Sequence, residues 1–460
     1  MAPKNLRFGG GAADTLLHPL VAVAMVLAII LILCLPRRYG IVPFLLGVFL
    51  IPLGQVVVLS GVHFTVLRIL ILAGLVRKVT LRSGSSAGQL TSVKSIDSLI
   101  SLWFGIEFIA TSLELRESQA IINGLGNFLD AAGSYFVVRL FIRDREDVVR
   151  TLKAFAAITV VSSCCMINEQ VTHQNVFGLL GGVPLFPQVR EGSIRSQAAF
   201  AEYLDAGVFG ATLIPLLMWM WSDVKSRVAA ALGIAGAIVM MITSHSSTPL
   251  LAFLGAVVGL SLWPFRDWMR YLRWGLSLTL VGLHLVMKAP VWALIARIDL
   301  TGSSSGDHRY HLVDACIRHF SDWWLIGYKD FPNWGWDMWD LSDEYVAVAL
   351  TGGLAGLVIF IKILSRSFGG IGTARKHAAG DRKKQWFLWC LGAALLAHVV
   401  GWFGCSYQAQ MQILLFALFG IISVAVSEAA STPEEQPATA DDTHQLQFWS
   451  QSKALDTVSS

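Results

Sequence analysis

The sequence predicts an all-α, polytopic membrane protein with about 12–13 transmembrane helices and a large external loop that contains an amphipathic helix. Of the 460 residues, 55% are hydrophobic and only 14% are charged, whereas about 25% are charged in ordinary soluble domains. The mean hydropathy is +0.60. No water-soluble fold buries so much apolar side chain with so few charges, and the apolar residues also fall into runs of membrane-spanning length.

A membrane-spanning helix needs about 20 mostly apolar residues. The runs near that length are His18–Leu35, Ile41–Leu59, His63–Val76, Ile96–Leu113, Ile121–Ile142, Leu152–Ile167, Phe200–Trp221, Val228–Thr243, Thr248–Trp263, Trp274–Met287, Tyr345–Leu364, Trp386–Phe403 and Met411–Val426. No Cys/His metal spacing, phosphate-binding loop or dinucleotide fingerprint is present, so we expect neither a metal nor a cofactor. The net charge of +4 comes from short basic clusters, so we expect no nucleic-acid partner. A disulfide between Cys316 and Cys405 stays open, because both lie outside or at the edge of the apolar runs.

Basic residues fall in loops that this arrangement places on one side of the membrane. These loops contain Arg37-Arg38, Arg77-Lys78 with Arg82, Arg143–Lys153, Lys225–Arg227, Arg266–Arg273 and Ser365–Lys384. The positive-inside rule assigns that side to the cytoplasm. Residues 1–430 then form one transmembrane domain, and the polar residues 431–460 form a disordered cytoplasmic tail. The N-terminus lies outside unless one of the first three runs does not cross.

Two external loops, residues 168–199 and 288–344, are longer than connections need to be, which is typical of functional loops. In the second, Gly306–Phe320 has the periodicity of an amphipathic helix. Arg309 falls in the middle of its apolar face, where an unpaired guanidinium is costly. Two interpretations stay open: a structural salt bridge, or a contact with the phosphate of a lipid-linked ligand.

The segment after this helix is rich in Trp and Asp, and it includes Trp336, Trp339, Asp340 and Asp343. Such Trp rings stack on sugars or anchor a protein at the membrane interface. Carboxylates there could act as general bases.

Three charged residues, Arg68, Glu107 and Asp130, lie inside apolar runs. Charges at membrane depth face the bundle interior and need partners. We therefore predict a buried pair between Arg68 and Asp130, with a contact to the substrate as the alternative.

Taken in order, the motifs resemble those of the O-antigen ligase and polysaccharide polymerase superfamily of bacterial membrane proteins. The resemblance runs from about Val66 to about Val426. The matching pieces are Arg190-x-Gly192-Ser before Glu202-Tyr203-Leu204, the turn Thr243-Ser-His-Ser-Ser-Thr-Pro, the helix start Gly306-Asp-His-Arg309, the turn Trp324-Leu-Ile-Gly327-Tyr, and Asp340-Leu-Ser-Asp343-Glu-Tyr345 followed by Gly352-Gly353.

The resemblance implies a multi-pass glycosyltransferase of the bacterial inner membrane, active at the periplasmic face in surface polysaccharide biosynthesis. Its partners would be a polyprenyl-diphosphate-linked glycan, a lipid or glycan acceptor and the surrounding membrane lipids. The diphosphate would contact Arg309 and either Arg190 or Arg195. The predicted substrate-binding set is Arg190, Arg195, Arg309, His308, His311, Trp336 and Trp339.

One departure from the family bears on the catalytic base. Many members have His-Asn where this chain has Ser342-Asp343. We therefore predict that Asp343, or else Asp340, deprotonates the acceptor hydroxyl. The choice between ligase and polymerase stays open. The alternative function is that of a non-enzymatic membrane transporter or a protein that binds lipid-linked glycans.

Overall fold

The computed structural model describes residues 15–59, 62–82, 94–115, 118–297, 305–335 and 338–431. Within these ranges the chain is a helical bundle with two short antiparallel hairpins. The helices are α1 (Pro19–Cys34), α2 (Ile41–Leu50), α3 (Val66–Arg82), α4 (Lys94–Leu115), α5 (Ser118–Phe141), α6 (Arg145–Thr172), α7 (Tyr203–Trp221), α8 (Arg227–Thr243), α9 (Ser247–Ser261), α10 (Met269–Val286), α11 (Ser305–Arg318), α12 (Phe320–Trp323), α13 (Glu344–His377), α14 (Arg382–Gly401) and α15 (Gln410–Ser431). The strands are β1 (Val56–Leu59) with β2 (Val62–Thr65), and β3 (Gln188–Arg190) with β4 (Ser193–Arg195).

Six of the described helices are long and apolar enough to cross a membrane, which confirms the polytopic helical architecture. They fall within α4, α6, α7, α13, α15 and, with the turn before it, α8. Two shorter apolar helices, α1 and α9, accompany them. The larger count of about 12–13 crossings stays a prediction.

The prediction of one continuous helical run over Ile41–Leu59 is wrong. Helix α2 ends at Leu50, and β1 begins six residues later at Val56. The physical reason is local: Pro52 disfavours helical backbone at the residue before it, and the run Val56–Val58 is β-branched. At 1.5 Å per residue, α2 is only about 15 Å long.

The predicted basic loops meet at one end of the bundle, which we call the basic end. Arg37 Nη1 lies 3.0 Å from Asp147 Oδ2, and Arg150 Nη1 lies 2.6 Å from Asp147 Oδ1. Arg375 Nη1 lies 3.1 Å from Asp267 Oδ1, which joins α13 to the connection between α9 and α10. The Arg145 guanidinium lies 5.5 Å from the ring centroid of Phe387, and the Arg375 guanidinium lies 5.8 Å from that of Trp389. Both rings belong to the first half of α14, so these loops are on the same side of the bundle.

The long connections between helices meet at the opposite end, which we call the loop end. Gln55 Nε2 donates to the Leu180 carbonyl at 2.7 Å, so the segment before β1 is fastened to the connection between α6 and α7. The Glu344 amide donates to the Trp402 carbonyl at 3.0 Å, which joins the start of α13 to the end of α14. The loop end is thus built from segments distant in sequence.

Glycines allow three helices of the core to pack closely. A Cβ on Gly210 of α7 would lie 2.6 Å from the Ala237 carbonyl oxygen of α8. On Gly236 of α8 it would lie 2.8 Å from the Thr159 carbonyl oxygen of α6. Helix α8 is therefore held between α6 and α7 at distances that no larger residue permits.

Helix α13 contains a break at Gly353, whose φ of 63° is left-handed. The turn after α12 fills this break: the Tyr328 amide donates to the Leu350 carbonyl at 2.8 Å. Gly327 is required there, because a Cβ on it would lie 2.2 Å from the Leu350 oxygen. The glycine turn that follows α12 is therefore part of the bundle.

The prediction that Ser365–Lys384 is a loop is partly wrong, because α13 continues to His377. Its 34 residues make a helix about 50 Å long, which exceeds the roughly 30 Å of a hydrocarbon core. The added turns still pack against the bundle, since Ser367, Ile371 and Ala374 are buried, and this packing keeps the basic stretch helical.

The predicted amphipathic helix is confirmed as α11. Its apolar face is buried, with Leu312 0% and Cys316 6% exposed, whereas Asp307 and His311 are exposed. The predicted alternative of a disulfide between Cys316 and Cys405 is wrong, since both thiols are free.

Candidate functional site

A cavity of about 870 Å³ opens at the loop end between α4, α5, α7 and α13, and the connection between α14 and α15 completes its wall. Its lining is strongly acidic. Among the described lining residues, six carboxylates stand against a single guanidinium, that of Arg68. The carboxylates belong to Glu107, Asp130, Glu202, Asp205, Asp340 and Glu344.

The Arg68 guanidinium is held by Asp130, as the sequence predicted. Arg68 Nε lies 2.9 Å from Asp130 Oδ1, and Arg68 Nη2 lies 2.6 Å from Asp130 Oδ2, which is a bidentate salt bridge. Arg68 Nη1 also donates to the His63 carbonyl at 2.8 Å. Because this cation is already paired, it does not neutralise the other carboxylates of the cavity.

The deepest carboxylates differ in how they are held. Glu344 is 4% exposed, and its Oε2 accepts the Tyr407 amide at 2.5 Å. The Tyr407 hydroxyl lies 2.7 Å from His398 Nδ1. Asp205 is 9% exposed and makes no hydrogen bond or ion pair with any residue that the structure describes. Glu107 also faces the interior of the bundle, as predicted.

Asp343 lies directly behind this cavity and caps α13. Its Oδ1 accepts the Val346 amide at 3.0 Å, whereas its buried Oδ2 has no hydrogen-bond partner among the described residues. Burial raises the pKa of Asp343 to about 6, against the opposing effects of backbone hydrogen bonds and of the nearby Arg309 charge. The side chain is 1% exposed, and its neighbours Ser342 and Glu344 line the cavity.

Arg309 is buried between three segments of the loop end. Its Nη2 donates to Thr248 Oγ1 at 2.8 Å, and Thr248 Oγ1 donates to the Gly404 carbonyl at 3.0 Å. A Cβ on Gly404 would lie 3.1 Å from Arg309 Cζ. Arg309 therefore fastens α11 to the start of α9 and to the connection between α14 and α15, close to Asp343.

The segment before α13 supplies the accessible groups. Asp340 and Trp339 line the cavity, and Trp339 is 71% exposed. His308 Nε2 lies 3.1 Å from the Asp340 carbonyl oxygen and 4.0 Å from its carboxylate. Trp336 lies outside the described residues.

The two predicted arginines of the first long loop occupy different positions. Arg195 is buried, and its Nη1 donates to the Tyr203 hydroxyl at 2.6 Å. Tyr203 follows Glu202 of the cavity, and burial together with the charge of Asp340 raises the pKa of Glu202. Arg190 lies on β3 with its Nε 3.7 Å from Glu191, in a partly exposed hairpin.

His311 belongs to a second, open groove of about 770 Å³ along α11. It lies 3.4 Å from Asp307. In the wall of this groove, Trp334 is stacked between His319 and Tyr328, with ring centroids 4.8 and 5.4 Å apart. The structure thus places His311 apart from the acidic cavity, although His308 lines the same groove and contacts Asp340.

Sequence reasoning missed several members of the site. Glu344 adjoins the predicted Asp343, and Tyr407 lies in a short connection that carries no recognisable motif. Glu202 and Asp205 stand near the predicted helix start but gave no sign that they face Glu344. In the part of the chain that the structure describes, no three His, Cys, Asp or Glu side chains could together hold a metal ion.

No protein-family model matches this chain, and no curated protein matches it either.

Proposed function

We propose that the protein is a membrane glycosyltransferase that takes a glycan from a polyprenyl-diphosphate carrier and transfers it to a lipid or glycan acceptor. The proposal places it in the bacterial inner membrane, with the loop end on the periplasmic face. It belongs to the class represented by the O-antigen ligases and polysaccharide polymerases, which its motifs resemble.

One observation supports this proposal above the others: several motifs of that resemblance meet at the loop end, some in the wall of the acidic cavity and some beside it. Glu202 comes from the motif before α7, Arg309 from the start of α11, and Asp340 and Asp343 from the segment before α13. Thr248, from the serine-rich turn, contacts Arg309 directly. Residues scattered over about a third of the chain meet at the loop end.

The roles follow from the chemistry of these groups. A carboxylate of the segment before α13 takes the proton of the acceptor hydroxyl; Asp343, whose pKa is about 6, ionises at neutral pH. Asp340, in the cavity wall, accepts hydrogen bonds from sugar hydroxyls, and the exposed Trp339 ring offers them a stacking surface. Arg195 and Arg309 border the site as the cations nearest to a leaving diphosphate.

Turnover of a labelled lipid-linked glycan by the purified protein in proteoliposomes tests the proposal. We expect the label to move from the polyprenyl diphosphate to an acceptor in the same vesicles, with release of the free carrier diphosphate. Vesicles without protein give the background. Binding of the lipid with no transfer to any acceptor contradicts the proposal.

A second candidate function, transport of a cation or polar solute, has one observation in its favour. Glu107, Asp205 and Glu344 are ionisable groups within membrane-spanning helices, and all three face the same cavity. Intramembrane carboxylates of this kind mark ion and proton pathways. Solute or proton flux across the same proteoliposomes, in the absence of glycan transfer, would support transport instead.

A further inference from the structure

The acidic cavity has a charge that does not suit a phosphate. Six carboxylates line it, and the Arg68 guanidinium, the one cation among its described lining residues, is bound to Asp130. An anion there would meet acidic side chains on every side, and like charges at short range repel. The diphosphate of a lipid-linked donor must therefore stay outside the cavity.

Asp205 is the second, independent indication of a ligand. It is 9% exposed, it lines the cavity, and it has no hydrogen-bond or salt-bridge partner in the described chain. Leaving a buried carboxylate unpaired is costly unless a bound group supplies the missing partner. A protonated amine supplies a positive charge and three hydrogen-bond donors to such an oxygen.

The described carboxylates of the cavity are not grouped as ligands of a single metal ion would be. No three of the described acidic, His or Cys side chains are close enough to hold one metal ion. The cavity is nevertheless about 870 Å³, which is large enough for a saccharide of more than one unit. Carboxylates spread over such a surface fit a ligand with several separate donors.

We infer that the acidic cavity binds a saccharide that carries a protonated amine, with the amine against Asp205 and the hydroxyls against the surrounding carboxylates. The saccharide part of this inference rests on the proposed function, and the amine part rests on the cavity itself. The cavity thereby selects amino sugars in the transferred glycan or its acceptor.

Binding to the full chain in phosphatidylcholine nanodiscs tests this inference by calorimetry. The probes are the trisaccharide of glucosamine, its fully N-acetylated counterpart, and glycerophosphoethanolamine as an amine without a sugar. We expect the free-amine trisaccharide to bind about tenfold or more tightly than the acetylated one, since charge-assisted hydrogen bonds are the stronger kind. Equal binding of the two trisaccharides, or no binding of either, overturns the inference. Equal binding of glycerophosphoethanolamine overturns its saccharide part.

Two variants locate the effect. Asp205→Asn should remove most of the preference for the amine. Glu202→Gln should reduce the preference with little effect on folding, because the Glu202 side chain makes no capping hydrogen bond at the start of α7. The matched control is Asp381→Asn, which alters a helix-capping carboxylate at the basic end. A preference that survives both cavity variants overturns the inference. The binding assay is independent of the transfer assay, so the two ideas can fail separately. Glycan transfer without a binding preference for the amine contradicts this inference alone. A binding preference for the amine without glycan transfer contradicts the proposed function alone.

Discussion

Replacing Asp343 with Asn separates its role in capping α13 from its proposed role as a base. Asn caps a helix about as well as Asp, so the hydrogen bond to the Val346 amide should persist. Asn cannot accept the proton of an acceptor hydroxyl, and we expect transfer to fall by about 10²–10⁴. Asp343→Ala also removes the cap and should cost about 1 kcal/mol of stability in addition.

The pKa of Asp343 also sets the sign of two pH effects. Its value of about 6 lies above the ordinary 3.8, so the folded protein binds this proton more tightly than the unfolded chain. Ionising the group therefore removes stability as pH rises from about 4 to about 6, on the order of 3 kcal/mol in all. We expect Asp343→Asn to be at least as stable as the wild type at pH 7. The wild-type rate should fall about tenfold per pH unit below pH 6, and this acid limb should disappear in the variant.

The assay is initial transfer rate against pH in proteoliposomes, with thermal unfolding in detergent measured beside it. Asp381→Asn is the matched control, because Asp381 Oδ1 accepts two backbone amides at the start of α14 but lies at the basic end. Asp340→Asn should have the smaller effect on rate. A wild-type rate and an unchanged acid limb in Asp343→Asn would refute the assignment, and wild-type transfer in the double variant would remove both carboxylates from the mechanism.

Three further predictions concern other parts of the molecule. Arg68→Ala should destabilise the protein by about 3–5 kcal/mol in thermal unfolding, because it leaves Asp130 unpaired in the cavity wall, and the double alanine variant should recover part of the loss; additive losses would contradict a coupled pair. Arg309→Ala should abolish glycan transfer while membrane insertion of the protein stays intact, and Arg309→Lys should restore little activity, because Lys lacks the planar guanidinium that binds an anion in a bidentate way. If Thr248→Val causes the same loss of transfer, the role of Arg309 is only to anchor α11. Alkaline phosphatase fused at Gly370, near the basic end of α13, should be inactive, and activity there would reverse the proposed orientation.

The composition and the local residue patterns were sufficient to predict the helical membrane fold, the amphipathic helix α11 and one buried ion pair. The amphipathic pattern of α11 follows from side-chain periodicity, and the Arg68–Asp130 pair follows from the cost of a lone charge at membrane depth. The prediction over Ile41–Leu59 was wrong because hydropathy cannot distinguish a short helix followed by a strand from one apolar helix. The extension of α13 to His377 was not predicted, because hydropathy alone does not distinguish a polar stretch of helix from a polar loop.

The acidic cavity could not be predicted, and the reason lies in where its carboxylates stand. Glu202 and Asp205 occupy the N-cap and first turn of α7, and Asp343 and Glu344 occupy the same positions of α13. Acidic residues at a helix start are ordinary, since they interact favourably with the free amides and the helix dipole. Each pair therefore has a sufficient local explanation, and the sequence contains no sign that the two helix starts face one another. Only the packing of the whole bundle places the starts of α7 and α13 at one cavity, where Glu202, Asp205 and Glu344 line the wall and Asp343 lies behind it. Residues that suit a helix start locally thus also contribute to the acidic lining of the cavity.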